Sequence, residues 1–416
     1  MNGAGAPPPA ALVRATARHS LGWLVAANFV GVWLALVLLW PALGDLVAPL
    51  TYGRWVPLHL DWQLYGWTAL PVVGVLLAWF VDERDAGGAR VAFGAWTVAL
   101  ALGGVSWLAG RTSGKLFLDW TGLARPLLPA AMLVLWGVLG RALWRRWFEW
   151  TPRERWARFA LLALLAPVPH VLFWSMGREV YPAVNPDSGG ATGAALLGST
   201  LGIVTIFLLL PALLHVPARS AQFYVIRKIA WGAWAVSWGV FAVVDHGHAT
   251  HHALSQIAAL GVLLAWVPLL AWFWLAHAWS DAAWPWLRAG IAWWALLVLS
   301  GWVDFLPGVS ESQKFTHGLV AHAHLAMAGL VTAVNAVMLT TLRGRAAPRG
   351  VFALWQAGCV VHLVVLAALG AVEQERAADL FRSEAWTQAV FALRLLGGAA
   401  MAAASAWWLK EELSHE

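Results

Sequence analysis

The sequence predicts an all-α polytopic membrane protein, a single bundle of about 12 transmembrane helices. Three observations carry this. The 416 residues are 61% hydrophobic and only 12% charged, against about 25% charged in a soluble domain. Apolar runs near the ~20 residues needed to cross a bilayer recur along the chain. The charges gather in the short segments between those runs, where they set membrane orientation.

The elements follow in order. Residues 1–19 are expected to be a disordered cytoplasmic tail, Pro/Ala-rich as far as Ala17 and without the pattern of a cleaved signal peptide. Residues 20–416 form one membrane domain. Its spans are expected near 20–44, 56–81, 90–110, 119–143, 157–177, 190–214, 225–246, 253–276, 285–306, 317–342, 351–373 and 386–409. No internal repeat is evident, and no linker is long enough to divide two domains.

Orientation comes from the 27 lysines and arginines. With a cytoplasmic N-terminus, Arg54, Arg111, Lys115, Arg178, Lys314, Arg376 and Arg382 are outside, and Arg125 and Arg394 lie within spans. The other eighteen are inside, which puts both termini in the cytoplasm. The intramembrane arginines need anionic partners. The sequence pI near 10.0 therefore reflects topology and implies no nucleic-acid partner. Cys359, the single cysteine, can build no disulfide, zinc cluster or iron–sulfur site. The 32 tryptophans exceed what two interfacial belts need, and helix packing is their default role.

Chemistry is concentrated in the stretch Lys314–Gly329. His322 and His324 stand two residues apart, about 200° apart around a helix, so their rings leave on opposite faces. One helix can then serve two irons, since imidazole is a common axial ligand of heme. The plain alternative is a pair of hydrogen-bonded histidines in a bundle. Depth favours iron. His59 opens the second span, His246 ends the seventh, and both fall at the outer level of His322 and His324. His248, His251 and His252 follow at once in Asp245–His252, which also reads as a solvated turn. His19, His215, His277 and His415 are expected to be solvated. His317 lies at the outer mouth of the tenth span, and His170 and His362 are expected to be hydrogen-bonded core residues.

These residues resemble the catalytic subunit I of the heme-copper oxidase superfamily. The similarity is greatest to the cbb(3)-type (C-family) cytochrome c oxidases and the related nitric oxide reductases. It spans nearly the whole chain. The His-x-His of the tenth span is its most specific element, and Arg394-Leu-Leu-Gly-Gly398 resembles a weaker C-family motif. The resemblance implies that His59 and His324 are axial ligands of a low-spin heme b. His322 would be the proximal ligand of a high-spin heme, where O2 or NO is reduced. A second metal, copper or non-heme iron, would face that heme. The implied setting is the respiratory electron-transport chain of a bacterial-type inner membrane.

The pattern departs at the second metal. Gly189 and Gly247 stand where the family has histidines. The candidate ligands are then His246, His248, His251 and His252, with Asp245, Asp187 or Glu179. A mixed imidazole and carboxylate set suits iron better than copper. Tyr52, Tyr65, Tyr181 and Tyr224 offer no clear replacement for the redox tyrosine of oxygen-reducing members, which favours NO. Without a Cys-x-x-Cys-His motif the chain cannot hold heme c, so a c-type cytochrome or another electron-donating subunit is the expected partner. Two rival readings are a heme electron relay or gas-binding protein without reductase turnover, and a transporter. No symmetric pair of broken helices supports the last. Thr205, Ser237, Thr332 and Asn335 are polar residues of the inner halves, where such side chains also pack helices.

Overall fold

The structure is a computed structural model that describes residues 8–220, 222–376 and 385–414. Among these residues there is no β-strand. Eleven helices are long and apolar enough to cross a membrane. In chain order they are α1 (Ala10–Leu39), α2 (Tyr52–Phe80), α3 (Glu83–Leu108), α4 (Gly122–Arg145), α5 (Pro152–Ser175), α6 (Gly193–Leu213), α8 (Leu254–Leu275), α9 (Trp284–Val303), α10 (His317–Arg343), α11 (Arg349–Gln374) and α12 (Ala385–Ser414). The seventh expected span is α7 (Phe223–Val243), a 21-residue helix. It is not among the eleven, because Arg227, Lys228 and its tryptophans lower its hydropathy.

One expectation is corrected at the N-terminus. Residues 10–19 are helical, not disordered, while residues 1–7 lie outside the described residues. Nothing from Ala10 to His19 breaks a helix, and Pro9 caps it. Leu12, Val13, Thr16 and Ala17 are buried. Thr16 packs on the bare backbone of Gly74, where even a methyl group would collide.

The helices gather into two compact units. The first comprises residues 1–181, 348–355 and 398–416, and the second residues 182–347 and 356–397. In the first, Trp67, Trp107 and Trp120 are fully buried. Trp62 donates to Leu100 O, Trp96 to Tyr65 O and Trp107 to Asp119 O, at 2.8–3.0 Å. In the second, Trp274 donates to Phe207 O and Trp294 to Trp266 O. The tryptophans thus staple helices, filling space with the ring and spending the N–H on a neighbour's carbonyl. Thr205 and Ser237 do similar work, each accepting a tryptophan N–H. Thr151 and Glu154 form a capping box that starts α5 after the polar turn. Arg125 meets no anion among the described residues, contrary to expectation: it donates twice to Phe173 O and lies over the Phe173 ring.

A repeated local design appears that consecutive sequence does not display. Within α2 a π-helical stretch, Trp62–Thr68, follows His59. Within α10 another, Leu325–Val331, follows His322 and His324. These are the π-helices among the described residues. Each contains a glycine pressed on a tryptophan: Gly66 on Trp23 of α1, Gly329 on Trp293 of α9. Each histidine lies on a second glycine of that same helix: His59 on Gly31, His322 on Gly301. The spacings agree, Trp23 to Gly31 matching Trp293 to Gly301, and His59 to Gly66 matching His322 to Gly329. The repeat is a pattern of contacts between paired helices, so no run of residues reveals it.

Candidate functional site

His322 lines a cavity of about 420 Å³ within the second unit, in the usual size range of a ligand site. Its walls are mainly apolar, including Leu260, Trp294 and Phe305. Ser188, Asp304, Gln313 and Lys314 make the lining polar in part. Lys314 Nζ donates to Ser188 O, and burial lowers its pKa. Gly301 gives the His322 ring its room, since a Cβ there would sit 3.0 Å from Cε1. His322 Nδ1 is 3.1 Å from Ser300 Oγ and 3.5 Å from an Asp304 carboxylate oxygen. An imidazole that donates from Nδ1 keeps its lone pair on Nε2, the arrangement found in metal-bound histidines.

The other two candidate heme ligands have the same polarity. His59 Nδ1 donates to Ala27 O at 2.8 Å, and His324 Nδ1 to Val320 O at 2.8 Å. A carbonyl only accepts, so Nε2 bears the lone pair in both. His59 belongs to the first unit and His324 to the second. His362, expected as a core residue, is buried with its ring 4.7 Å from that of His324 and its Nδ1 on Arg394 O. Arg394 Nη1 is 3.4 Å from His317 Nε2, and His317 Nδ1 is 2.5 Å from Glu373. His317 thus links Arg394 to the Glu373 carboxylate.

The expected second-metal ligands are divided. One carboxylate oxygen of Asp187 and nitrogens of His251 and His252 lie within 4.8 Å of one another. His246 is outside this group: its Nε2 is bonded to Phe241 O at 2.8 Å. His248 Nδ1 is 3.1 Å from the Val184 backbone N. Asp245 takes the Gly247 N–H, and Glu179 belongs to the first unit. Among the described lining residues the cavity has no histidine besides His322 and no tyrosine. Gly189 has φ +62°, a left-handed backbone that is uncommon for residues other than glycine, and a Cβ there would meet Lys314 Nζ at 3.0 Å. The donor set of the cavity therefore does not fit a second metal facing His322. Tyr65 is committed elsewhere, donating to Phe117 O at 2.6 Å, and Tyr52, Tyr181 and Tyr224 are exposed.

Three histidines depart from the plain expectations. His19 is half-buried on Phe93 and bonded to Thr97, and His277 is buried and bonded to Phe273 O, so neither is solvated. Burial lowers the pKa of His277. His170, expected inside, is exposed on α5, whose turns touch few neighbours. His215 is exposed as expected, and His415 lies outside the described residues. Four functional candidates were not legible as such: Ser300, Asp304, Asn185 and Glu311. Asp304 carried a signal, a carboxylate ending an apolar span at the outer level of the histidines.

No family model and no curated protein matches the chain. A solved structure does match, described as the cryo-EM structure of a heme-copper terminal oxidase dimer, with a TM-score of 0.51 and 13% identity over 97% of this chain and 83% of that one. The chain therefore shares the polytopic helical membrane fold of a heme-copper terminal oxidase.

Proposed function

We propose that the chain is a membrane heme oxidoreductase of the terminal-oxidase type, with His322 holding a high-spin heme at the cavity. The observation that carries this is the His322 imidazole itself. It borders a cavity of ligand size, rests on a glycine, and is tethered at Nδ1 by Ser300 and Asp304. The residues fit the group: the ligating nitrogen is set by the tether, the walls are apolar, and Lys314 provides a cation for a carboxylate substituent. When bound, a heme there supplies a redox-active iron with an open coordination position. The protein's part is to orient His322, to exclude bulk water with Leu260, Trp294 and Phe305, and to leave room for a diatomic gas. A low-spin heme b on His59 and His324 completes the proposal, supported by the matching tautomers of the two rings. Electrons would come from a c-type cytochrome or another electron-donating subunit. The substrate is O2 or NO, in a bacterial-type inner membrane.

A second reading has its own support. Among the described lining residues the cavity has neither a second imidazole nor a tyrosine, which favours a heme relay or gas-binding protein without reductase turnover. Two measurements decide. In purified protein, His322→Ala should abolish carbon monoxide binding to the reduced heme and leave the low-spin spectrum, whereas His59→Ala or His324→Ala should do the reverse. Three unchanged spectra would refute the assignment. Turnover with O2 or NO then separates the enzyme from the relay.

A further inference from the structure

We propose that Asp187, His251, His252 and Glu311 form a site for one divalent ion of the zinc type, apart from the heme cavity. All four belong to the second unit. They come from three separate segments: the one before α6, the one after α7, and the short helix Val309–Gln313 ahead of α10. The donors of Asp187, His251 and His252 lie within 4.8 Å of each other. Glu311 stands outside that group of three, with its Oε1 2.7 Å from His251 Nε2 and 3.1 Å from His252 Nε2. Two imidazoles and two carboxylates make the nitrogen and oxygen set that zinc accepts in four-fold coordination.

The surroundings are built, not incidental. His251 is fully buried in a segment that is otherwise mostly exposed. Thr250 Oγ1 donates to Asp187 Oδ2, and Gly308 N donates to Glu311 Oε2 at 2.6 Å, which leaves Oε1 for the histidines. Asn185, also buried, lies 2.7 Å from His251 Nδ1. Such partners orient the groups that hold a metal. None of the four candidate ligands lines the heme cavity. Phe305 does, and its ring stands 6.2 Å from that of His251. An ion here would fix Asp187 beside Ser188 and Glu311 three residues before Lys314, the two ends of the Lys314–Ser188 contact at the cavity.

Asn185 sets the tautomer and gives the sharpest test. Its oxygen accepts the Asp187 N–H at 3.1 Å, so its amide N–H faces His251 Nδ1 and the ring proton sits on Nε2, donated to Glu311. An entering cation replaces that proton, which leaves to solvent, and Nδ1 then carries the N–H. The amide must turn its oxygen to accept it. An aspartate at 185 would accept it without turning.

The test uses the full chain with its hemes, freed of metal by a chelator and titrated with zinc against a chromophoric competitor. One zinc per chain is expected. His252→Ala and Asp187→Asn, both at exposed positions, should lose it, and His246→Ala should retain it. Asn185→Asp should bind about 10-fold more tightly, the size of an orienting-partner effect. Either of two results would overturn the site: no zinc bound beyond that of a His251→Ala, His252→Ala double variant, or weaker binding by Asn185→Asp. The far-ultraviolet circular dichroism, read in each sample, confirms folding, and the heme spectrum separates this proposal from the heme assignment, since either group can be present without the other.

Discussion

At the residue scale, a histidine that holds a heme needs two things from its neighbours: a partner for Nδ1 and space for the ring. Both are visible here. Asp304 and Ser300 hold His322, and Gly31 and Gly301 make the room. Replacing Asp304 by Ala should weaken heme retention at His322 about 10–100-fold, as for other orienting partners, measured as high-spin heme kept through gel filtration. Undiminished retention would remove Asp304 from the site. The glycines give a steric counterpart. In Gly31→Ala the new methyl would lie 2.7 Å from His59 Cε1, so the ring must move and the low-spin spectrum should be lost or shifted. Gly22→Ala, on the same helix with nothing within 4 Å, should leave it unchanged. If both variants behave alike, the contact has no functional weight. The histidines themselves could be read from the sequence, because ionisable side chains are rare in apolar runs. Their glycines could not, because α1 and α2 have to be docked before Gly31 and His59 are known to meet.

At the scale of the element, the two π-helical stretches stand out because such turns are rare and are often found at functional sites. A threonine closes each wide turn, Thr68 as the last residue of the first stretch and Thr332 as the residue just after the second. Thr68 Oγ1 donates to Gln63 O at 3.1 Å, and Thr332 Oγ1 to Met327 O at 3.0 Å, both five residues back. Valine keeps the shape and loses the bond, at a cost of about 1 kcal/mol each. Thr68→Val should therefore lower the thermal midpoint slightly and broaden the low-spin band, and Thr332→Val should act on both heme bands. A full-strength, unshifted spectrum in both variants would show that the π-turns are not needed to aim the histidines. Hydropathy places the helices but says nothing about hydrogen-bond offset within them, so this feature was hidden. The metal candidates were partly legible for a related reason. The dense histidines of residues 246–252 announce ligands, yet the loop fold decides that His251 and His252 converge while His246 turns to Phe241 O. Likewise, residues 1–19 read as a tail because of Pro7, Pro8 and Pro9, although the residues after Pro9 pack as helix.

At the scale of the whole chain, fold and residues have different legibility. A TM-score of 0.51 at 13% identity means that the path of the chain is retained while most side chains differ, as expected when apolar residues substitute for one another in lipid. The path was therefore readable from hydropathy, with α7 as the one span in question. Parity makes it testable. If α7 crosses, eighteen lysines and arginines are inside and seven outside. If it does not, every later segment changes sides. Arg288, Arg343, Arg345, Arg349 and Lys410 would move out, and Lys314, Arg376 and Arg382 would move in, leaving sixteen and nine. The first arrangement is the more asymmetric, so α7 is expected to cross. Cys359 is buried, which leaves a low background for cysteine labelling in intact cells. Ser220→Cys and Gly247→Cys flank α7 at exposed positions. An impermeant thiol reagent added outside should modify the cysteine at 247 and spare the one at 220 until the membrane is opened. Protection of both until the membrane is opened would mean that α7 does not span, and the candidate zinc ligands His251 and His252 would then lie on the cytoplasmic side.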